Sequence, residues 1–238
     1  MDKEYARYLL EKTKEDYNLI AEDFSRTRSF VSPEFQKWLS KYLSSGEKAL
    51  DLGCGNGKFY EVFNGNGVGY SGVDFSGELI KIAKNNHPSG NFLVASAFNL
   101  PFPDNFFDKV FCFAVFHHVP SVNLRLEFLK EIKRVLKPKG TLILAVWDLN
   151  PFKMIITARW KRLLNFLSSF GNSKLDFKDF FIPWQNSCQR YVHYFNSSEL
   201  KRLVGKSNFK IKEVGILGSF KKESNLCLVA EKTNAPIA

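Results

Sequence analysis

The sequence predicts a doubly wound α/β fold: a mostly parallel, seven-stranded sheet with an antiparallel edge strand and helices on both faces. Three observations predict it. Short apolar runs alternate with segments of helical period between residues 48 and 147. The runs are almost continuously apolar, as strands buried on both faces must be. A glycine-rich turn, Asp51-Leu52-Gly53-Cys54-Gly55-Asn56-Gly57, joins the first run to the first helix of the alternation.

The elements follow in order. Over residues 3–24, Tyr5, Tyr8, Leu9, Tyr17, Ile20, Ala21 and Phe24 recur close to a helical period. Ser32-Pro33 reads as an N-cap and a first-turn proline, opening a second N-terminal helix to about residue 43. Strands are expected at 49–52, 69–75, 92–95, 109–115 and 141–147, with helices at 58–63, 77–85 and 123–136. Lys137-Pro138-Lys139-Gly140 punctuates the last helix before its strand. The alternation then breaks at 150–187. A basic amphipathic helix over 154–170, with Lys153, Arg159, Lys161 and Arg162, forms a helical insertion after the fifth strand, followed by a phenylalanine-rich loop ending Ile182-Pro183-Trp184. A helix resumes at 197–207. Strands at 209–217 and 226–232, joined by a turn near 221–225, close the sheet as an antiparallel pair. The expected organisation is one domain over 1–238: a helical segment at 1–47, a ligand-binding core at 48–148, a substrate-side insertion at 150–195, and a closing helix and strands at 196–232.

Composition narrows the classes. The 238 residues suit one α/β domain with a large core. The 24 phenylalanines read mainly as core filling. No apolar stretch is long enough to cross a bilayer, and Met1-Asp2-Lys3-Glu4 lacks a secretory pattern, so a cytoplasmic protein without a membrane partner is expected. Cys54, Cys112, Cys188 and Cys227 form no C-x-x-C pair, and no metal site is expected. The net charge of +10 attracts polyanions, without by itself naming a nucleic acid.

The glycine turn selects among nucleotide ligands. The dinucleotide fingerprint G-x-G-x-x-G fails because Lys58 stands at the third glycine. The P-loop pattern fails because Leu52 and Phe59 occupy its required positions. The spacing acid-x-G-x-G-x-G instead resembles motif I of class I methyltransferases. That resemblance implies a Rossmann-like core and S-adenosyl-L-methionine as cofactor, its amino-acid part surrounded by Asp51, Gly53, Gly55 and Gly57. Asp74 ends the next strand, where a carboxylate accepts hydrogen bonds from ribose hydroxyls, with Phe75 beside it. Ala95-Ser96-Ala97-Phe98-Asn99-Leu100-Pro101-Phe102 lies where the family reads G-D-A-x-x-L-P-F, so Ser96, Ala97 and Phe98 are expected at the adenine, with Ser96 replacing the usual aspartate. Phe107-Asp108-Lys109-Val110, Ala114 after the fourth strand, and Leu129-Lys130-Glu131-Ile132 through Gly140 continue the match.

The flanks are more particular. Tyr17-Asn18-x-Ile20-Ala21-x-x-Phe24-Ser25-x-Thr27-Arg28, Ala114-Val115-Phe116-His117-His118, Trp147, Ile182-Pro183-Trp184 and Arg190-Tyr191-Val192-His193-Tyr194-Phe195 together resemble the tRNA wobble-uridine methyltransferases that esterify 5-carboxymethyluridine. Val192 departs from the usual R-Y-Y-H. The resemblance implies tRNA as substrate and a small zinc-binding activator protein as a partner. A carboxylate is already ionised at neutral pH and needs no general base. Arg28 and Arg190 are therefore candidates to orient it, and His117 and His118 candidates to contact base or phosphate. Trp147, Tyr191 and His193 complete the expected substrate contacts. A small-molecule methyltransferase of the same fold, or a binding subunit without catalysis, remain alternatives.

Overall fold

The computed structural model describes residues 1–148, 174–218 and 224–233. The expected basic helix at 154–170, with Lys153, Arg159, Lys161 and Arg162, lies outside the described residues, as does most of the turn at 221–225. No helix among the described residues is long and apolar enough to cross a membrane.

The N-terminal period breaks once. Helix α1 (Lys3–Leu19) is capped by Asp2, whose carboxylate accepts from the Tyr5 N–H at 2.8 Å. The chain turns at Ile20 and continues as α2 (Ala21–Thr27), so the single helix expected to residue 24 is two. Ile20 is buried with Tyr17, Leu79 and Trp184, and this apolar anchor accompanies the change of direction. Helix α3 (Pro33–Ser40) starts as expected, with the Ser32 hydroxyl accepting from Phe35 N–H at 3.2 Å.

The strands are β1 (Lys48–Leu52), β2 (Gly69–Asp74), β3 (Phe92–Val94), β4 (Phe107–Phe113), β5 (Leu136–Trp147), β8 (Phe209–Leu217) and β9 (Asn225–Lys232). They form one sheet in the order β3-β2-β1-β4-β5-β9-β8. The first five pair in parallel, and β9 runs antiparallel to both β5 and β8. Helices α4 (Tyr60–Gly65), α5 (Gly77–Asn86) and α6 (Val122–Val135) follow β1, β2 and β4, and α7 (Ser197–Lys206) precedes β8. Alternate residues face opposite layers: Leu142, Leu144 and Val146 enter one core, Ile143 and Ala145 the other. The strand order reverses between β1 and β4. Their carboxyl ends therefore diverge into a crevice, the place where open α/β sheets bind ligands.

One expectation fails on physical grounds. Residues 179–193 form a hairpin, β6 (Asp179–Trp184) and β7 (Cys188–His193), where a phenylalanine-rich loop ending at Trp184 was expected. Pro183 argues against a central strand, yet an isolated two-stranded ribbon has only edges and tolerates it. Arg190, Tyr191 and His193 of β7 are buried, and partners for them come from β6 and from distant elements. Asp179 Oδ1 lies 2.6 Å from His193 Nδ1, and Glu199 Oε1 lies 3.1 Å from His193 Nε2. Arg125 of α6 is fully buried; its Nε donates to the Val119 carbonyl at 2.9 Å and its Nη2 to the Tyr191 hydroxyl at 3.2 Å. This network fastens the hairpin to α6 and α7. Breaking a buried charged group out of such a set leaves the others uncompensated. Arg125→Met is expected to lower stability by about 3 kcal/mol, read as a fall in the urea midpoint.

Candidate active site at the carboxyl ends of the strands

The glycine turn after β1 is built by backbone geometry. Gly53, Gly55 and Gly57 have φ of +77°, +56° and +77°, a region L side chains rarely adopt. A Cβ on Gly53 would stand 2.0 Å from Val115 Cγ2, so the loop after β4 lies directly against this turn. At Gly55 such a Cβ would meet, among the described residues, only the Phe24 ring at 3.6 Å, which leaves a cradle open beneath α2. Asp74, at the end of β2, accepts from Gly55 N–H and Ser76 N–H, both at 2.9 Å. Burial pushes its pKa up to about 6, against the pull of those N–H groups. Asp51 is also buried; desolvation raises it to about 7 although the Tyr70 hydroxyl donates to it at 3.0 Å. A turn with open space, positive φ and a buried carboxylate beside it fits the aminoacyl and ribose parts of S-adenosylmethionine.

The rest of the cofactor stretch lines the same edge. Phe75 packs with Tyr17, Phe24 and Leu79. Ser96 is exposed in the loop after β3, where its hydroxyl accepts from Phe98 N–H at 3.2 Å, while Ala97 and Phe98 pack on the core. Ala114 holds φ +58° and donates to the Ala145 carbonyl at 2.8 Å, turning the chain sharply off β4.

Beyond the turn lies a second group. Arg190 is buried, its guanidinium 4.6 Å from the centre of the Trp184 ring and 5.4 Å from that of Trp147. Its Nη1 is 3.5 Å from the Tyr17 hydroxyl. His118 spans Tyr17 Oη at 2.8 Å and the Tyr191 carbonyl at 2.7 Å, and burial lowers its pKa to about 4. His117 stacks 4.3 Å from Trp147 and receives the Trp147 N–H at Nδ1, 3.4 Å away. Desolvation keeps His117 neutral, well below its usual range, so its Nε2 carries the hydrogen.

Four buried side-chain polar atoms have no hydrogen-bond partner among the described residues: Ser25 Oγ, Asn56 Oδ1, His117 Nε2 and Arg190 Nε. Buried polar groups are almost always satisfied. All four sit on the segments that border this crevice: α2, the glycine turn, the turn after β4, and β7. The α2 segment is tied to the hairpin by Asp23, which accepts from Trp184 Nε1 at 2.8 Å and from Gln185 Nε2 at 3.2 Å.

The structure thus brings together Asp51, the three glycines, Asp74, Phe75, Ala114, His117, His118, Trp147 and Arg190. Arg28 is exposed at the rim, with its guanidinium 5.4 Å from Trp184. Tyr191 and His193 are not brought in, contrary to their expected role as substrate contacts. Side chains alternate along β7, so both point away from Arg190 into the anchoring network. Tyr17, Asn18 and Trp184 are residues that sequence reasoning left without a role. Asn18 Oδ1 accepts from the Ser76 hydroxyl at 2.7 Å, joining α1 to the Asp74 corner. Their placement depends on long-range packing; the only local signal was the aromatic character of Tyr17 and Trp184.

The Asp74 geometry carries a prediction. Two ribose hydroxyls require an ionised acceptor, and protonation below about pH 6 removes it. Cofactor affinity is expected to fall about tenfold from pH 7 to pH 5, and Asp74→Ala to weaken it more than tenfold and flatten that profile, both by calorimetry.

Known proteins now bear on this site. A profile described as methyltransferase domain matches residues 50–144. A tRNA (carboxymethyluridine(34)-5-O)-methyltransferase of Schizosaccharomyces pombe is 32% identical over 227 residues, covering 91% of this chain and 94% of that protein. A protein of the same name from Arabidopsis thaliana is 35% identical over 147 residues, 62% of this chain and 35% of that longer relative, so the chain spans about a third of its length. Among solved structures, an S-adenosylmethionine-dependent methyltransferase from Methanosarcina mazei superposes with TM-score 0.68 at 26% identity, covering 85% of this chain and 98% of that one. A Haloferax volcanii methyltransferase solved with its Trm112 activator has the same fold, with TM-score 0.64 at 16% identity over 94% of this chain and 99% of that one. The chain therefore belongs to the S-adenosylmethionine-dependent methyltransferase family that includes the tRNA (carboxymethyluridine(34)-5-O)-methyltransferases.

Proposed function

We propose that the chain transfers a methyl group to the side-chain carboxylate of 5-carboxymethyluridine at the wobble position of tRNA, forming the methyl ester. The observation that carries this reading is Arg190: a buried guanidinium beside two tryptophan rings and the donor crevice, its Nε without a partner among the described residues. Such a group calls for an anion, and an arginine fork matches a carboxylate. The relatives named for this reaction support it.

S-adenosylmethionine, bound at the glycine turn, supplies a methyl carbon activated by its sulfonium. Gly53, Gly55 and Gly57 let the backbone approach its aminoacyl part, and Asp74 accepts from its ribose. Arg190 orients the acceptor carboxylate. Its charge makes that oxygen a weaker nucleophile, so its contribution is alignment, which can be worth ~7–11 kcal/mol in favourable cases. His117 Nε2–H donates to an acceptor oxygen, and the Trp147 and Trp184 rings exclude water. No general base is needed, and His118, with both ring nitrogens engaged, is not one. Arg28 at the rim and the net charge of +10 serve the phosphates of a polyanion. A small zinc-binding activator partner and a cytoplasmic setting belong to the same proposal.

The test is methyl transfer from labelled donor to total tRNA from a strain lacking its own wobble-uridine methyltransferase, with and without an activator of that type, read by nucleoside mass spectrometry. A labelled methyl ester on carboxymethyluridine is the expected result. Its absence in both assays, with the donor bound, overturns the tRNA reading.

A further inference from the structure

We infer that Tyr17 is a positioning residue that aims Arg190 at the acceptor carboxylate, through a chain of hydrogen bonds whose direction His118 sets. The inference rests on the carboxylate reading above and assigns a function to a residue outside the donor site.

The direction follows from what each atom can do. The Tyr191 carbonyl can only accept, so the His118 nitrogen 2.7 Å away, Nδ1, carries a hydrogen. His118 is buried, faces no carboxylate among the described residues, and lies near the Arg190 charge, which together keep its ring neutral. Its Nε2 is then bare and accepts from the Tyr17 hydroxyl at 2.8 Å. With its one hydrogen committed to His118, Tyr17 Oη turns only lone pairs toward Arg190 Nη1, 3.5 Å away. The chain runs one way, from Arg190 to Tyr17 to His118 to the Tyr191 carbonyl.

That direction has a geometric result. The Trp184 and Trp147 ring centres lie 4.6 and 5.4 Å from the guanidinium carbon, and Tyr17 occupies the Nη1 corner. The edge formed by Nε and Nη2 is the side-on fork of an arginine, and Nε has no partner among the described residues. Tyr17 therefore rotates the guanidinium so that this fork is left for the carboxylate. The contact is strongest before transfer, because the carboxylate loses its charge as the ester forms. Loosening it should appear mainly in KM.

The experiment compares wild type, Tyr17→Phe, Arg190→Lys and the double variant on tRNA bearing carboxymethyluridine. Tyr17→Phe keeps the ring and removes only the hydroxyl. The expected result is a roughly tenfold rise in KM for tRNA, the size of one charge-assisted hydrogen bond, with kcat within threefold and donor affinity within twofold. Lysine cannot form the fork, so in the Arg190→Lys background Tyr17→Phe should add less than twofold. An unchanged KM in Tyr17→Phe, or the same tenfold cost in both backgrounds, overturns the inference, the latter by showing that Tyr17 does not act through Arg190. A loss of donor affinity also overturns it, placing Tyr17 in the donor site. Wild type that binds donor and methylates no carboxymethyluridine overturns the carboxylate reading itself.

Discussion

Arg190→Ala should reduce kcat/KM for carboxymethyluridine tRNA by about a hundredfold while leaving S-adenosylmethionine affinity within twofold. Three features set the size. Arg190 is only 5% exposed, so solvent competes little for its charge. The Trp184 and Trp147 ring centres lie 4.6 and 5.4 Å from its guanidinium carbon, so its surroundings are in place before the acceptor arrives. Truncating one partner of a buried charge pair costs about 2–5 kcal/mol, because the other charge is left desolvated and alone. The loss should fall chiefly on acceptor KM, with a smaller part in kcat from lost alignment. Steady-state kinetics with varied tRNA, together with donor titration by calorimetry, separates the two. Equal losses in donor and acceptor affinity would show that the side chain supports the whole crevice instead of one ligand.

Gly55→Val is expected to abolish detectable cofactor binding, a loss of at least a hundredfold, while the sheet stays folded. The open space at Gly55 ends at the Phe24 ring, 3.6 Å from where a Cβ would lie, and an isopropyl group fills it. The backbone N–H of Gly55 also holds Asp74 at 2.9 Å, so a distorted turn misplaces the ribose acceptor as well. A β-branched residue at φ +56° adds strain of about 1–3 kcal/mol, which should lower the melting temperature without removing the transition. Calorimetry and thermal unfolding of the same sample test both parts. Normal turnover in this variant would contradict the assignment of the turn to the donor.

The parts of this molecule that were legible in the sequence are those where the determining contacts are local. The strands β1, β2, β3, β4 and β5 announce themselves as apolar runs, and the glycine turn states its backbone requirement in its residues. Asp74 is found because a strand end and a fixed spacing put it beside that turn. The acceptor side was less legible because its contacts are distant. Tyr17 meets His118 across 101 residues and Arg190 across 173, and no window of sequence holds both ends. Tyr191 and His193 looked like ligand contacts because they are polar and lie beside Arg190. Reading 188–193 as a strand would have sent alternate side chains to opposite faces and separated them from it. Pro183 concealed that strand, and buried polar residues concealed the depth of its packing. Val192, the departure from the family pattern, is fully buried. It lies across from Phe180 in the ribbon, so an apolar residue there suits its surroundings.

The last turn of α1 carries two neighbouring residues that, under the proposed function, serve different ligands. Tyr17 bonds His118, beside the proposed acceptor arginine, and Asn18 holds Ser76, whose N–H meets Asp74, the proposed donor carboxylate. One rigid turn therefore reports to both. A small rotation that improves the grip on one ligand is felt by the other as a change in affinity, and thermodynamic reciprocity makes the two effects equal in size. Whatever factor the bound donor adds to the hold on tRNA, bound tRNA returns to the hold on the donor, and conversion of both to products alters that shared term from two sides at once.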